Sequence, residues 1–178
     1  MQSQITKCEA DEWFDESHAK NQDGSPKRLY HGTQYAFTRF DPEMQGANIN
    51  SEDIGFFFTN YKKEADAYAS MDWDVEDPHP TILHVHLSIK NPMVVTLDEG
   101  SPYEVPATWY DELGRQAVQD ALESGHDGLI VRDAREWKAM PDGTLIELFV
   151  AFDPCQIRVV ETESVSLRAT RKTSPRES

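Results

Sequence analysis

The sequence predicts an α+β domain whose core is a β-sheet flanked by two or three helices. Segments of β-strand character recur between residues 28 and 161, and helical patterns interrupt them. The 178 residues suffice for one domain with a sizeable core. The 8 Phe, 6 Tyr and 4 Trp supply large apolar side chains for that core and argue against a disordered chain.

A short helix and a turn are predicted before the first strand. Thr6 and Glu9 have the spacing of a capping box, which predicts a short N-terminal helix. Residues 20–27 are rich in turn formers and separate this helix from a strand over 28–33. The polar stretch 41–53 is predicted to be a loop.

A second strand and a helix are predicted side by side in the middle of the chain. The apolar run 55–59 predicts a buried strand. Asn60 is predicted to cap a helix over 61–71, and the acidic stretch 72–80 is predicted to be a loop. The residues that share the apolar face of this helix are Ala65, Tyr68 and Ala69.

The second half of the chain is predicted to be mostly strand, with one further helix. Thr108 and Asp111 have capping spacing, the apolar residues after them recur at helical intervals, and Gly125 is predicted to end this helix. The predicted strands are 81–89, 92–97, 128–133, 144–152 and 156–161. We therefore expect a helical segment over 1–26, a folded domain over 27–162 and a disordered basic tail over 163–178.

The composition excludes several classes of protein. The net charge is −15, from 17 Lys and Arg against 32 Asp and Glu, which counts against a protein that coats nucleic acid and also favours solubility. No apolar stretch is long enough to span a membrane, and no secretory signal pattern is seen. Cys8 and Cys155 form no CxxC pair, which argues against a disulfide scaffold or a cysteine-rich zinc site. We expect a cytoplasmic location, with export by a signal-less route left open.

Glu147 is the most unusual polar residue of the predicted strands. It shares one face of its strand with Leu145 and Phe149, and the other face is wholly apolar. A buried carboxylate costs several kcal/mol unless it is compensated, so its presence indicates a function. The alternative is that the strand end is exposed and Glu147 is solvated.

Three strand histidines, His31, His84 and His86, can each be interpreted as a ligand-binding or as a structural residue. His31 precedes Gly32, where a ligand could approach bare backbone, although a lone strand histidine is more often a hydrogen-bonded core residue. His84 and His86 share one face of a strand and form half of a possible metal site. Because the sequence places no third ligand, an exposed polar face is favoured for this pair.

The ordered set of these residues resembles the ADP-ribosyltransferase superfamily. The likeness rests on Tyr30-His31-Gly32-Thr33, on Gly55-Phe56-Phe57-Phe58-Thr59, on Tyr68 and on Glu147. It is greatest for the histidine–tyrosine–glutamate branch, which includes diphtheria toxin and the poly(ADP-ribose) polymerases. Within that branch the chain resembles small bacterial and phage domains of the polyvalent-protein type, over about residues 29–158. The resemblance implies a split, twisted antiparallel sheet.

The resemblance also implies a site for NAD. By position, His31 would bind a ribose hydroxyl, and the backbone of Gly32, next to Thr33, would hold the nicotinamide carboxamide. Phe57 stands where the family has a stacking tyrosine, and Tyr68, eleven residues later, matches the second one. Phe57 keeps the ring but lacks the hydroxyl, which puts full activity in doubt.

The late glutamate matches Glu147, and the chemistry explains the residue type. Cleavage of the nicotinamide–ribose bond passes through an oxocarbenium-like state, which a carboxylate beside the ribose stabilises. No metal is needed, because the leaving group is already a cationic pyridinium. The resemblance therefore implies catalysis by Glu147, His31 and Phe57, with NAD as co-substrate.

The acceptor of ADP-ribose is expected to be a macromolecule. The loop 134–143 lies where proteins of this fold bind their acceptor. Trp137 and Lys138 are candidate acceptor contacts. It is equally open that Trp137 only packs and that Lys138 is only solvated. We expect a mono-ADP-ribosyltransferase acting as a bacterial or phage effector or toxin. The acidic body favours a protein acceptor over a nucleic acid, which stays an alternative. A second alternative, an acidic DNA mimic or binding inhibitor, explains the charge but not the site residues.

Overall fold

The structure is a computed structural model that describes residues 12–41, 55–71, 75–97, 112–133 and 140–167. Within these residues, seven strands form one sheet and two helices lie against it. The strands are β1 (Leu29–Thr33), β2 (Phe56–Thr59), β3 (Thr81–Leu87), β4 (Pro92–Leu97), β5 (Gly128–Asp133), β6 (Ile146–Ala151) and β7 (Ile157–Ser164). The helices are α1 (Lys62–Ser70) and α2 (Glu112–Glu123). The α+β class is confirmed.

The sheet is mixed rather than purely antiparallel. Its strand order is β4-β5-β6-β2-β1-β3-β7, and every neighbouring pair is antiparallel except β4 and β5. Parallel neighbours need a crossover connection, and α2 lies between these two strands in the chain. The expectation of an antiparallel sheet is therefore wrong at this one edge pair.

The two faces of the sheet carry separate parts of the core. The register places Tyr30, Thr59 and Leu148 side by side on one face, which α1 and α2 cover. Ala19 and Phe40, from segments outside the sheet, help to cover the opposite face. The buried side chains that the sheet contributes to that opposite face include Leu29, Phe56, Phe58, Leu83, Val85, Ile130 and Phe149.

The segment before β1 packs on the sheet instead of forming a separate helical unit. Residues 12–16 form turns, and residues 1–11, which carry the predicted capping box, lie outside the described residues. Trp13 is buried, and its Nε1–H donates to the carbonyl oxygen of Cys155 at 2.6 Å. The Ser17 hydroxyl donates to the carbonyl oxygen of Leu87 at 2.8 Å. The boundary expected at residue 26 is therefore not a structural boundary.

The end of the domain lies later than expected. β7 continues to Ser164, which pairs with Thr81, and the backbone N–H of Val165 donates to the carbonyl oxygen of Pro80. Val165 also packs against the core cluster of α1. The predicted tail therefore does not begin at 163, because residues 163–165 belong to the packed structure. Residues 168–178 lie outside the described part of the chain.

The start of β4 and the start of β5 are joined through Asp127. Its carboxylate accepts hydrogen bonds from the backbone N–H groups of Lys90 and Asn91, each at 2.8 Å. The Gln156 side chain donates to the carbonyl oxygens of Asp127 and Ser88. These contacts hold the start of β4 beside the start of β5, so Asp127 and Gln156 have a structural role.

Two further observations concern the disulfide of Cys155 and the length of the described helices. Cys155 is disulfide-bonded, and Cys8, the other cysteine of the sequence, lies outside the described residues. Because disulfides persist in oxidising compartments, this bond does not favour the cytoplasm, which stays a prediction. Neither described helix is long and apolar enough to cross a membrane.

Candidate active site

The sheet opens between its two central strands, β1 and β2. β1 pairs with β3 at every residue from Leu29 to Thr33. With β2, in contrast, the described pairing is confined to Tyr30 and Thr59. We call the segments beyond this pair, His31–Thr33 and Phe56–Phe58, the β1–β2 junction. The junction corresponds to the split in the sheet that the resemblance implied.

His31 fills part of the β1–β2 junction with its ring. The ring is half-buried and lies 5.2 Å from the ring of Phe40 and 5.5 Å from that of Phe58, measured between centroids. Its Nδ1 lies 2.7 Å from the carbonyl oxygen of Phe57. Because a carbonyl only accepts, Nδ1 carries the hydrogen and Nε2 of the neutral ring keeps a lone pair. Burial lowers the pKa of His31, which favours this neutral form at pH 7.

Gly32 and Thr33 have clear structural roles in the junction. A Cβ at Gly32 would lie 2.1 Å from the backbone oxygen of Ala65, so only glycine lets α1 approach β1 this closely. Thr33 is fully buried, and its hydroxyl accepts a hydrogen bond from the backbone N–H of Tyr35. Their predicted contacts with NAD stay predictions beside these roles.

The two predicted stacking residues lie on the face of the sheet that the helices cover. Phe57 is half-buried and packs against the core cluster beside α2. Tyr68 is half-buried on α1, three residues after Ala65, which lies against Gly32. Stacking on nicotinamide stays a prediction for both residues.

The side chain of Glu147 is mostly buried and pairs with two cations. Its side chain is 15% exposed, and its Oε1 lies 2.8 Å from Nζ of Lys27. Its Oε2 lies 3.3 Å from Nε of Arg132, the residue directly opposite on β5. The Lys27 ammonium also lies 5.8 Å from the ring centroid of Phe149. These contacts argue against the exposed strand end, since two cations compensate the carboxylate.

His31 and Glu147 lie on the same face of the sheet. The ring of His31 lies 5.5 Å from that of Phe58, Phe58 pairs with Phe149, and Glu147 is two residues before Phe149 on β6. β2 lies between the two strands that carry His31 and Glu147. A ligand the size of a nucleotide can therefore contact both side chains.

Sequence reasoning assigned Asn60 to the wrong partner. The residue that precedes α1 is Tyr61, and no side chain caps this helix. The Asn60 side chain instead accepts from the backbone N–H of Glu147 at 2.8 Å and donates to the carbonyl oxygen of Leu145 at 3.1 Å. The signal that could have found this is the position of Asn60 directly after a strand, where its carboxamide can continue the pairing.

His84 was expected on an exposed face but is buried. Its Nε2 lies 2.9 Å from Glu163, and its Nδ1 lies 3.3 Å from Arg28. Across the described parts of the chain, no three His, Cys, Asp or Glu side chains converge as a metal site. Trp137 and Lys138, the predicted acceptor contacts, lie outside the described residues.

The sheet opens between β1 and β2, and His31 and the compensated Glu147 lie on one of its faces. The chain matches the family described as ADP-ribosyltransferase in polyvalent proteins over residues 21–166, and it belongs to that family. It is therefore a transferase domain of a family that uses NAD as its substrate. Among curated proteins, none matches the chain.

Proposed function

We propose that this protein is a mono-ADP-ribosyltransferase that cleaves the nicotinamide–ribose bond of NAD and transfers ADP-ribose to a macromolecule. The observation that carries the proposal is the placement of a compensated glutamate, Glu147, on the same sheet face as His31. A carboxylate that is mostly buried and fixed in position by two cations is typical of a catalytic group.

Glu147 stabilises the charge that develops at the ribose carbon. As the bond to nicotinamide breaks, C1′ gains positive character and the pyridinium becomes neutral nicotinamide. The carboxylate also accepts a hydrogen bond from a ribose hydroxyl. Both contacts strengthen in the transition state, so their effect falls on turnover rather than on binding.

His31 and the junction orient the substrate. Nδ1 of His31 donates to the carbonyl oxygen of Phe57, so Nε2 is left as the acceptor for a ribose hydroxyl. By the family likeness, the rings of Phe57 and Tyr68 stack on the nicotinamide and the backbone of Gly32 holds its carboxamide. These two rings lie on the opposite face of the sheet from His31 and Glu147, so NAD has to pass through the β1–β2 junction. Each contact fixes NAD with C1′ toward Glu147, which lowers the entropic cost of reaction.

A protein acceptor and a role as a bacterial or phage effector or toxin complete the proposal. The net charge of −15 favours a protein acceptor, since it repels the phosphates of nucleic acids at long range. Incubation with labelled NAD and a bacterial lysate tests this point. Label that protease removes and nuclease leaves supports a protein acceptor, and the reverse pattern supports a nucleic acid.

The replacement Glu147→Gln tests the catalytic assignment. We expect the variant to bind NAD within a few-fold of the parent and to lose about 10²-fold or more in turnover, as when a preorganised charge-stabilising group is lost. NAD hydrolysis and transfer should fall together, because both need the same cation-like state. The measurements are NAD affinity by calorimetry and nicotinamide release from labelled NAD.

Glu163→Gln is the matched control for this experiment. Glu163 is also a strand glutamate that is paired with a lysine and close to a histidine, but it lies on the edge strand β7. Its replacement should leave turnover within about twofold, on the ordinary scale for a site away from the chemistry. Normal turnover in the Glu147→Gln variant would refute the proposal.

A further inference from the structure

Asn60 makes three hydrogen bonds to the backbone around Glu147. Its backbone N–H donates to the carbonyl oxygen of Glu147 at 3.2 Å. Its side-chain Oδ1 accepts from the backbone N–H of Glu147 at 2.8 Å, and its Nδ2 donates to the carbonyl oxygen of Leu145 at 3.1 Å. One residue therefore holds both backbone polar groups of Glu147 and the carbonyl two residues earlier.

The side-chain carboxamide of Asn60 takes the place of a backbone peptide group that β2 no longer supplies beside Glu147. β2 ends at Thr59 and the chain turns into α1 at Lys62, so regular pairing with β6 stops next to Glu147. A carboxamide has the same acceptor and donor as a peptide group. The side chain of Asn60 thus extends the pairing of β2 with β6 past the point where the backbone leaves the sheet.

The extension matters because Glu147 lies near the start of β6. Leu145, two residues earlier, is outside the strand and 40% exposed. At a strand end, backbone groups without a partner strand fray readily. The side chains of Lys27 and Arg132 hold the carboxylate, and Arg132 also pairs with Glu147 in the register of β5 with β6. On the side of β2, the described hydrogen bonds to the backbone of Glu147 come from Asn60.

We propose that Asn60 is a positioning residue of the transferase, which sets the place of the Glu147 carboxylate by clamping its backbone. This inference rests on the proposed function, because it takes Glu147 as the charge-stabilising group. Asn60 acts through Glu147 and touches no substrate. Its loss should shift the carboxylate relative to the ribose, and small displacements of a catalytic group lower turnover steeply.

The test is a double-mutant cycle on turnover. Asn60→Ala removes both side-chain bonds and keeps the backbone bond, and we expect about a tenfold loss in kcat for NAD hydrolysis, with the Kd for NAD within threefold. In the Glu147→Gln background, the same change should lower kcat less than twofold, since the positioned charge is already absent. A purely structural role would lower kcat by the same factor in both backgrounds.

Two further variants, Asn21→Ala and Asn60→Asp, serve as controls for the positioning role of Asn60. Asn21→Ala is the matched control, because the Asn21 side chain also bonds a neighbouring side chain and a backbone carbonyl, but in an exposed turn before β1. It should leave kcat unchanged. Asn60→Asp keeps an acceptor for the Glu147 N–H and loses the donor to Leu145, so it should retain more activity than Asn60→Ala. It also replaces Asn60→Ala in the cycle if the alanine variant does not fold.

The outcomes separate this inference from the proposed function. If Glu147→Gln loses turnover and the two losses multiply independently, the positioning role is refuted and the proposed function stands. If Glu147→Gln itself turns over NAD normally, the proposed function fails. Equal kcat in Asn60→Ala and the parent refutes the positioning role directly.

Discussion

Two clusters of charged groups lie in this sheet, and they differ in charge balance. Glu147 is paired with two cations, Lys27 and Arg132. The second cluster surrounds His84, where Arg28 and Lys62 pair with Glu161 and Glu163. Among the described residues, the second cluster pairs two cations with two carboxylates, whereas the Glu147 cluster pairs two cations with one carboxylate.

This difference in charge balance distinguishes the His84 cluster, a structural network, from the Glu147 cluster, a candidate site. In the His84 cluster each described carboxylate is paired with a described cation, so the network is complete without a ligand. Near Glu147 the excess cation suits an anionic ligand, which NAD is. Compensated titratable residues occur in structural networks as well as in functional sites, so the charge balance supports the proposal together with the family match.

Truncation produces the largest expected change in stability and targets the His84 cluster. Removing 163–178 deletes the Glu163 side chain, the last two register pairs of β7 and the packing of Val165. We expect the free energy of unfolding to fall by about 3 kcal/mol, from lost apolar burial and hydrogen bonds. Removing only 168–178 should change it by less than about 0.5 kcal/mol. Urea unfolding measures both, and equal stability of the two truncations would contradict the structural boundary.

The replacement Glu163→Gln isolates the charge of the same cluster. Lys62 and His84 lose their carboxylate partner, and the variant should lose about 1 kcal/mol of stability, because Glu163 is partly exposed and solvent screens the pairs. Glu163→Gln should also weaken the effect of salt on stability, since fewer charges are left to screen. Thermal unfolding at low and high ionic strength checks this. An unchanged salt dependence would mean that the cluster contributes packing rather than charge.

The smallest expected effect is the pH dependence that His31 contributes. Burial lowers the pKa of His31 below the ordinary 6.5, so the unfolded chain binds more protons than the native state as the pH falls. This contribution to stability is complete above about pH 6.5 and is lost progressively as the pH falls below it, until the native ring also protonates.

The difference between the parent and His31→Gln isolates this contribution. Burial and the nearby Arg28 also lower the pKa of His86, so the whole protein is expected to lose stability in acid. His31→Gln should flatten the curve by the share that His31 contributes. Chemical unfolding at a series of pH values measures it, and identical slopes for His31→Gln and the parent would show that the ring is not buried in solution.

Much of the fold followed from local sequence patterns. Each described strand overlaps the segment that periodicity predicted, because alternation and apolar runs are short-range properties. The end of α2 was also predicted correctly. Gly125 has φ +78°, and its backbone N–H donates to the carbonyl oxygen of Leu122, as in a glycine-terminated helix.

Local patterns failed where one residue had two possible partners. Asn60 has the sequence context of a helix cap, yet its carboxamide bonds the backbone of Leu145 and Glu147. His84 alternates as an exposed residue would, yet it is buried and pairs with Glu161 and Glu163 of β7. In both cases the competing partner lies more than 70 residues away in the chain.

The sequence by itself determined which face of each strand a residue occupies. It placed Glu147 among apolar neighbours and His31 before a bare backbone, because side-chain direction alternates with a fixed period of two. Only the tertiary structure decided what compensates the carboxylate. Lys27 is 120 residues away from Glu147 and reaches it because β6, β2 and β1 are neighbours in the sheet. Strand order and register are properties of the whole chain, and no local period encodes them.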